Sequence, residues 1–274
     1  MNPIIHNMKG KYKMNYFFLI SIILSIILSS CSNRDTDHIV HLNNSIASGT
    51  SHEAWSYTGK TGPNYWSSMN KEFNLCSNGK NQSPINISQT VTKSLPLGIN
   101  YHRGLFKIEK DHYTVKLVAL NDLNNINLNG TNYTLKQFHF HTPSEHTLNG
   151  LHSNLEIHFI NENTKKSVVT IGVLVNDGRL NKEFQKIINA NPLDEQNKEK
   201  FVKINLHSLI PYSSKKVAYN GSFTTPPCTE GIKWIVFTKP LQFSKKQIQF
   251  YQNKFDPNSR PVQPLNGRDL FESW

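Results

Sequence analysis

The 274-residue chain is short of acid, of cysteine and of long apolar runs, and each shortage removes a class of protein. Asp and Glu number 19 against 30 Lys and Arg, a formal net charge of +11. The bases are scattered and no nucleic-acid motif accompanies them. The charge therefore reads as solubility and attraction to anionic lipid or envelope polymers, and no nucleic-acid partner is expected. No segment repeats at a spacing of 20–50 residues, which excludes solenoids and propellers. The longest apolar stretch, Tyr16 to Leu28, falls short of the roughly 20 residues needed to cross a bilayer. Carboxylates paired across a cleft, as a glycan hydrolase requires, are not evident. Apolar residues make up 37% of the chain and charged residues 18%, enough for a packed core and against wholesale disorder.

The N-terminal region follows the grammar of export. Lys9, Lys11 and Lys13, with no acid, precede the apolar run, which ends in Leu28-Ser29-Ser30-Cys31. That ending resembles the bacterial lipobox, in which the cysteine is lipidated and becomes the new N-terminus; an uncleaved anchor with an incidental cysteine is the alternative. The expected organisation is a signal peptide over residues 1–31 with lipidation at Cys31, a flexible tether over 32–52 rich in Ser, Asn, Asp and His, and one domain over 53–274. The mature chain would be exported to the periplasm and membrane-anchored through lipid. Ser32 leans toward the outer membrane for a Gram-negative source. Loss of the signal removes three bases and no acid, so the remainder stays basic. In an oxidising compartment Cys76 and Cys228 are expected to form a disulfide, with two buried free thiols as the alternative. The loop-entropy model gives so long a loop roughly 5 kcal/mol.

From Trp55 onward, alternating or β-branched runs recur between turn signals at 113–120, 133–141, 154–161, 167–175 and 232–238, and read as strands. Asn129-Gly130 and Asp177-Gly178 read as hairpin turns. Two segments have helical periodicity: 180–189, with Leu180, Phe184, Ile187 and Ile188 on one face, and 244–254, opened by Ser244.

The chemistry concentrates in Gln137-Phe138-His139-Phe140-His141, Thr142-Pro143-Ser144-Glu145-His146 and Glu156-Ile157-His158-Phe159-Ile160. Strand side chains alternate, so Gln137, His139 and His141 share a face, and so do Glu156, His158 and Ile160. Antiparallel pairing through the 142–153 loop would gather three imidazoles. Three neutral nitrogens at about 2.0–2.1 Å from a zinc ion leave the fourth tetrahedral position to water, the arrangement of a catalytic site. A metal-bound histidine gives its second N–H to an acceptor, and Gln137 and Glu156 stand where they can accept from His139 and His158.

These segments, together with Trp55-Ser56-Tyr57, Gly62-Pro63, Gln82-Ser83-Pro84-Ile85-Asn86-Ile87, the run Gly221 to Gly231 through Thr224-Thr225-Pro226-Pro227-Cys228, Trp234 and Arg260-Pro261-Val262-Gln263-Pro264-Leu265, resemble the α-carbonic anhydrases over nearly the whole domain. The resemblance implies a mainly β (α+β) fold: a single domain around a large, mostly antiparallel central sheet of about ten strands with short surface helices. It implies zinc-dependent reversible hydration of carbon dioxide to bicarbonate and a proton, by hydroxide on zinc. His139, His141 and His158 would bind Zn2+, supported by Gln137, Glu156 and the backbone carbonyl of Asn258. Thr224 would bridge the hydroxide and Glu145, with Thr225 beside it. Ile160, Thr170, Phe223, Ile232 and Trp234 would line the carbon dioxide pocket, and His112 would shuttle protons near neutral pH. Cis peptides are implied at Ser83-Pro84 and Pro226-Pro227. The sequence departs from the family at Lys110-Asp111, usually Asn-Gly before the shuttle histidine, at Thr170, usually small and apolar, and at Phe223, often Leu. These departures bear on rate rather than on the reaction. Homodimerisation is left open.

Two other classes compete. His139-X-His141-X3-Glu145 fits the start of a cupin motif, but Tyr133 replaces the expected glycine and no second motif follows. In a cupin, Glu145 would be a ligand and His158 remote. A non-catalytic binding module of the same family is the other reading; all three histidines, Glu145 and Thr224 are nevertheless intact.

Overall fold

The computed structural model describes residues 54–110, 112–190 and 199–274. The signal peptide, lipidated Cys31 and tether expected before residue 53 lie outside the described residues. In chain order the strands are β1 (Asn86–Ile87), β2 (Val91–Thr92), β3 (Leu97–Asn100), β4 (Arg103–Lys110), β5 (Val115–Ala119), β6 (Asn125–Leu128), β7 (Thr131–His141), β8 (Thr147–Leu148), β9 (Leu151–His152), β10 (Leu155–Glu162), β11 (Val168–Asp177), β12 (Lys200–Asn205), β13 (Lys216–Ser222), β14 (Glu230–Phe243) and β15 (Phe271–Ser273). The α-helices are α1 (Trp66–Met69), α2 (Leu75–Asn78), α3 (Lys182–Asn189) and α4 (Lys245–Gln252).

Twelve strands form one sheet, ordered β12-β4-β5-β7-β10-β11-β14-β13-β15-β2, with β6 beside β7 and β3 beside β6. Its ladders are antiparallel except β11 with β14 and β15 with β2. The mainly β, mostly antiparallel architecture expected from the sequence is thus the one observed, with β3 and β6 extending the ten-strand path. Strands β1, β8 and β9 make a small separate sheet.

The alternation of β7 and β10 places their large apolar residues on one face. Phe138, Phe140, Leu155, Ile157 and Phe159 are fully buried there, each burial contributing about 2–3 kcal/mol relative to exposure. Phe138 stacks on Phe159 at 5.3 Å and meets Phe106 of β4 edge-on at 5.2 Å. Helices α3 and α4 help cover this core: Phe184 stacks on Phe243 at 4.4 Å, and Phe140 meets Phe184 at 5.2 Å. Asn181 caps α3 by accepting the N–H groups of Glu183 and Phe184, and Ser244 with Gln247 forms a capping box on α4. Because the cap falls at Asn181, Leu180, expected on the helix face, precedes the helix and is 55% exposed.

The hairpin turn expected at Asn129-Gly130 is present, both residues having the positive φ (50° and 82°) that such a turn needs. Asp177-Gly178 instead ends β11 and leads toward α3; a side chain at Gly178 would meet Gln242 at 2.7 Å, so close approach explains this glycine. Ser83-Pro84 and Pro226-Pro227 are cis, as is Thr142-Pro143 directly after β7. Cys76 and Cys228 are disulfide-bonded across 152 residues and pack with Trp66. Among the described residues no helix is long and apolar enough to cross a membrane.

Candidate metal centre

On the face of β7 and β10 opposite the phenylalanines, the register sets His158 against His139, Glu156 against His141 and Ile160 against Gln137. Opposed side chains in such a ladder lie about 5 Å apart at Cβ. The ligand-type nitrogens of His139, His141 and His158 all fall within 4.8 Å of one another. His141 and His158 are buried, and His139 is partly exposed.

The hydrogen bonds decide what these nitrogens can do. His139 Nδ1 lies 2.8 Å from Gln137 Oε1, His141 Nδ1 2.8 Å from the Asn258 carbonyl, and His158 Nε2 3.0 Å from Glu156 Oε1. Each partner atom is an acceptor, so each of these ring nitrogens donates, and the neutral rings keep lone pairs on Nε2 of His139, Nε2 of His141 and Nδ1 of His158. Two of these, on His139 and His141, stand only 3.1 Å apart. Lone pairs facing each other at that distance repel unless they share a cation. Burial, reinforced by the neighbouring imidazoles, lowers the pKa of His139 well below the ordinary value and also lowers that of His158, which favours the neutral ligand form. Lys116 adds to this effect at His139; it stands opposite His139 one step beyond the Leu117–Phe138 pair of β5 and β7. The donor set fits a divalent ion of zinc type.

Asn258 is held by its own amide, Oδ1 accepting the Thr142 N–H at 2.7 Å and Nδ2 donating to Tyr113 and Phe140 carbonyls. Glu156 is held more firmly still. Besides His158 it accepts His146 Nδ1 at 2.7 Å on Oε1 and the His146 N–H at 2.8 Å on Oε2. The chain continues from His146 Nε2 to Tyr219 Oη at 2.6 Å, to Ser83 Oγ at 2.8 Å, to the Ser222 N–H at 3.1 Å. The Glu156 carboxylate can only accept, which orients the series from that end: His146 donates from Nδ1 to Glu156 and accepts at Nε2 from Tyr219, Tyr219 in turn accepts from Ser83, and Ser83 accepts the Ser222 N–H. Despite burial, the two histidines keep the Glu156 carboxyl well below the usual carboxylate range. His146, Glu156 and His158 also lie close enough to hold an ion, but their facing atoms are committed to these hydrogen bonds. On β11 opposite His158 stands Gly172, where a Cβ would lie 2.9 Å from Glu156 Oε1.

On the other side lies Glu145, fully buried. Its Oε1 accepts the Arg260 N–H at 2.9 Å and is 3.7 Å from His141 Nδ1; Oε2 is 3.9 Å from His158 Nδ1 and has no hydrogen bond of ordinary geometry. Burial pushes its carboxyl up to about 7, against the opposing pull of His158, Thr224 and the Arg260 N–H. The Arg260 guanidinium is itself buried, donating to Gln82 Oε1, the Ser83 carbonyl and the Cys76 carbonyl. Thr224 is buried, with Thr225 beside it partly exposed.

Ile160, Thr170 and Trp234 stand side by side on adjacent strands, and Ile232 and Phe223 pack in the same cluster as Trp234. Trp234 approaches the rings of His158 and His146, each at 4.8 Å. The structure thus gathers the expected histidine trio, Gln137, Glu156, Asn258, Glu145, Thr224 and the expected pocket residues. His112 is exposed, and among the described residues no hydrogen bond or ion pair joins it to the trio. Its neighbour Tyr113 stacks on Trp55 at 5.1 Å and meets Tyr57 at 5.2 Å. Sequence reasoning missed His146, Tyr219, Ser83 and Arg260. Only His146, next to Glu145, carried a local hint.

Beyond the trio itself, the cupin alternative required a remote His158, and His158 is not remote. The family model described as "Eukaryotic-type carbonic anhydrase" matches residues 61–274. A carbonic anhydrase of Neisseria gonorrhoeae is 36% identical over 230 residues, covering 83% of this chain and 91% of the relative. One of Klebsiella pneumoniae is 37% identical over 222 residues, covering 80% and 90%. The solved α-carbonic anhydrase of Thermovibrio ammonificans, in complex with sulfanilamide, superposes with a TM-score of 0.75 at 35% identity, covering 79% of this chain and 98% of the other.

Proposed function

Since the chain belongs to the eukaryotic-type carbonic anhydrase family and is an enzyme of that family, we propose that it interconverts carbon dioxide and bicarbonate with a zinc ion held by His139, His141 and His158. The observation that carries this reading is the convergence of three imidazole lone pairs whose opposite ring nitrogens already donate to Gln137, Asn258 and Glu156. When bound, zinc supplies a nucleophile at neutral pH by lowering the pKa of a water ligand to about 7, a magnitude established for carbonic anhydrases as a class and taken over as such.

The chain's own residues do the rest. Gln137, Asn258 and Glu156 hold the imidazole rings in one tautomer and orientation. Thr224 Oγ1 donates to the Glu145 carboxylate, which leaves its lone pair for a nucleophile that still bears a proton and turns the nucleophile's own lone pair toward substrate. The Thr224 N–H meets the oxygen on which charge develops. Ile160, Thr170, Phe223, Ile232 and Trp234, with Thr225 alongside, exclude water from the face that receives carbon dioxide. His112, exposed just before the β5 strand that pairs with β7, carries the released proton to buffer.

Stopped-flow carbon dioxide hydration before and after chelation tests the reading. One zinc per chain, activity lost on chelation and activity restored by zinc are expected; activity indifferent to chelation sinks it. Export and lipid anchoring through Cys31 belong to the same proposal, supported by the lipobox-like sequence and by the Cys76–Cys228 disulfide, which suits an oxidising compartment. Loss of membrane association on Cys31→Ser checks the anchor.

A further inference from the structure

Among the described residues the buried side-chain polar atoms without a hydrogen-bond partner are Glu145 Oε2 and Thr170 Oγ1. The first faces Thr224 in the proposed mechanism. The second has no role there beyond filling space, and filling space does not call for a hydroxyl: valine has the same outline and no polar atom.

Thr170 is fully buried in the middle of β11, between Ile160 of β10 and Trp234 of β14. Its side chain shares a strand face with position 172, where an added Cβ would lie 2.9 Å from Glu156 Oε1. That face is therefore the one bearing the histidine trio. Neither flanking residue can take the hydroxyl hydrogen: Ile160 is apolar, and the Trp234 indole N–H is a donor already committed to the Ser222 carbonyl at 2.9 Å. An orphaned hydroxyl in such a place is destabilising, and the cost is recovered only when an acceptor arrives. Carbon dioxide, uncharged, is a weak acceptor. Bicarbonate spreads a full negative charge over its oxygens, and hydrogen bonds to charged acceptors are roughly twice as strong as neutral ones.

Resting on the functional reading above, we infer that Thr170 Oγ1 donates a hydrogen bond to a bicarbonate oxygen, so that this otherwise apolar pocket holds the anionic side of the reaction more tightly than the neutral gas. Thr170 is in this sense a specificity-determining residue for the anion, distinct from the groups that activate the nucleophile.

The test uses the zinc-loaded full protein with Thr170→Val and Thr170→Ser. Sodium bicarbonate is titrated at fixed pH and ionic strength, and affinity is read from the ligand-dependent rise in Tm, with chloride as the ionic-strength control. Thr170→Val should weaken bicarbonate binding about tenfold, the scale of one hydrogen bond to a charged acceptor. Thr170→Ser, which keeps the hydroxyl and loses the methyl, should stay within about threefold of the parent on the same scale. In steady-state assays the KM for bicarbonate should rise more than the KM for carbon dioxide in the valine variant. Unchanged bicarbonate affinity in Thr170→Val overturns the inference, as does an equal loss in both variants, which would point to pocket shape. A parent protein that retains no zinc and hydrates no carbon dioxide sinks the functional reading, and this inference with it.

Discussion

The two sides of the histidine trio treat a buried carboxylate in opposite ways. Glu156 and Glu145 are both fully buried. Glu156 takes hydrogen bonds from His158 Nε2, His146 Nδ1 and the His146 N–H, and is held ionised. Glu145 has the Arg260 N–H and an orphaned second oxygen, and its carboxyl is pushed up to about 7. Burial alone raises a carboxyl in both cases; the number and charge of the donors decide which side wins. The Glu156 side is a rigid mount, finished by protein. The Glu145 side is left open for a ligand to complete.

Substitutions that cross this divide rank by expected size. His141→Ala removes one of the three converging imidazoles, the one held by the Asn258 carbonyl, and should abolish metal retention and hydration together, as metal analysis and stopped-flow rates would record; near-parental zinc content contradicts the ligand assignment. Thr224→Ala attacks only the open side: the backbone N–H remains, zinc stays at one per chain, and loss of the hydroxyl that orients the nucleophile lowers kcat about 10²-fold, the scale of removing one preorganised polar group. Glu156→Gln attacks the mount by giving His146 and His158 an amide that cannot accept all their N–H groups, and zinc affinity measured by competition with a chelator should drop about 10- to 100-fold. Metal affinity lost in Thr224→Ala and kept in Glu156→Gln would reverse the comparison. The smallest effect is outside both sides: His112→Ala should slow turnover only in weak buffer, with recovery on adding imidazole. An unchanged rate in weak buffer places the proton path elsewhere.

Much of the mount was legible before any coordinates. Residues Gln137, His139 and His141 read as one face of a strand, and Glu156 and His158 as the same face of the next, because alternation is a local property of an extended chain. The two helices were legible for the same reason, apart from Leu180, which the Asn181 cap excludes. The series from Glu156 to Ser83 was not, since its links join residues 73 and 136 positions apart. Nor was Arg260, whose buried guanidinium satisfies carbonyls more than 170 positions away.

The sequence by itself determined that this chain builds a mainly β protein with three imidazoles and two same-face acceptors on consecutive strands, since periodicity and residue chemistry are written along the chain. Tertiary structure alone decided the charge of the two carboxylates, the tautomers of the histidines and the isolation of the Thr170 hydroxyl. Those depend on which donors and acceptors from distant segments share a space closed to water, and at short range in a low-dielectric interior such neighbours outweigh a side chain's intrinsic properties.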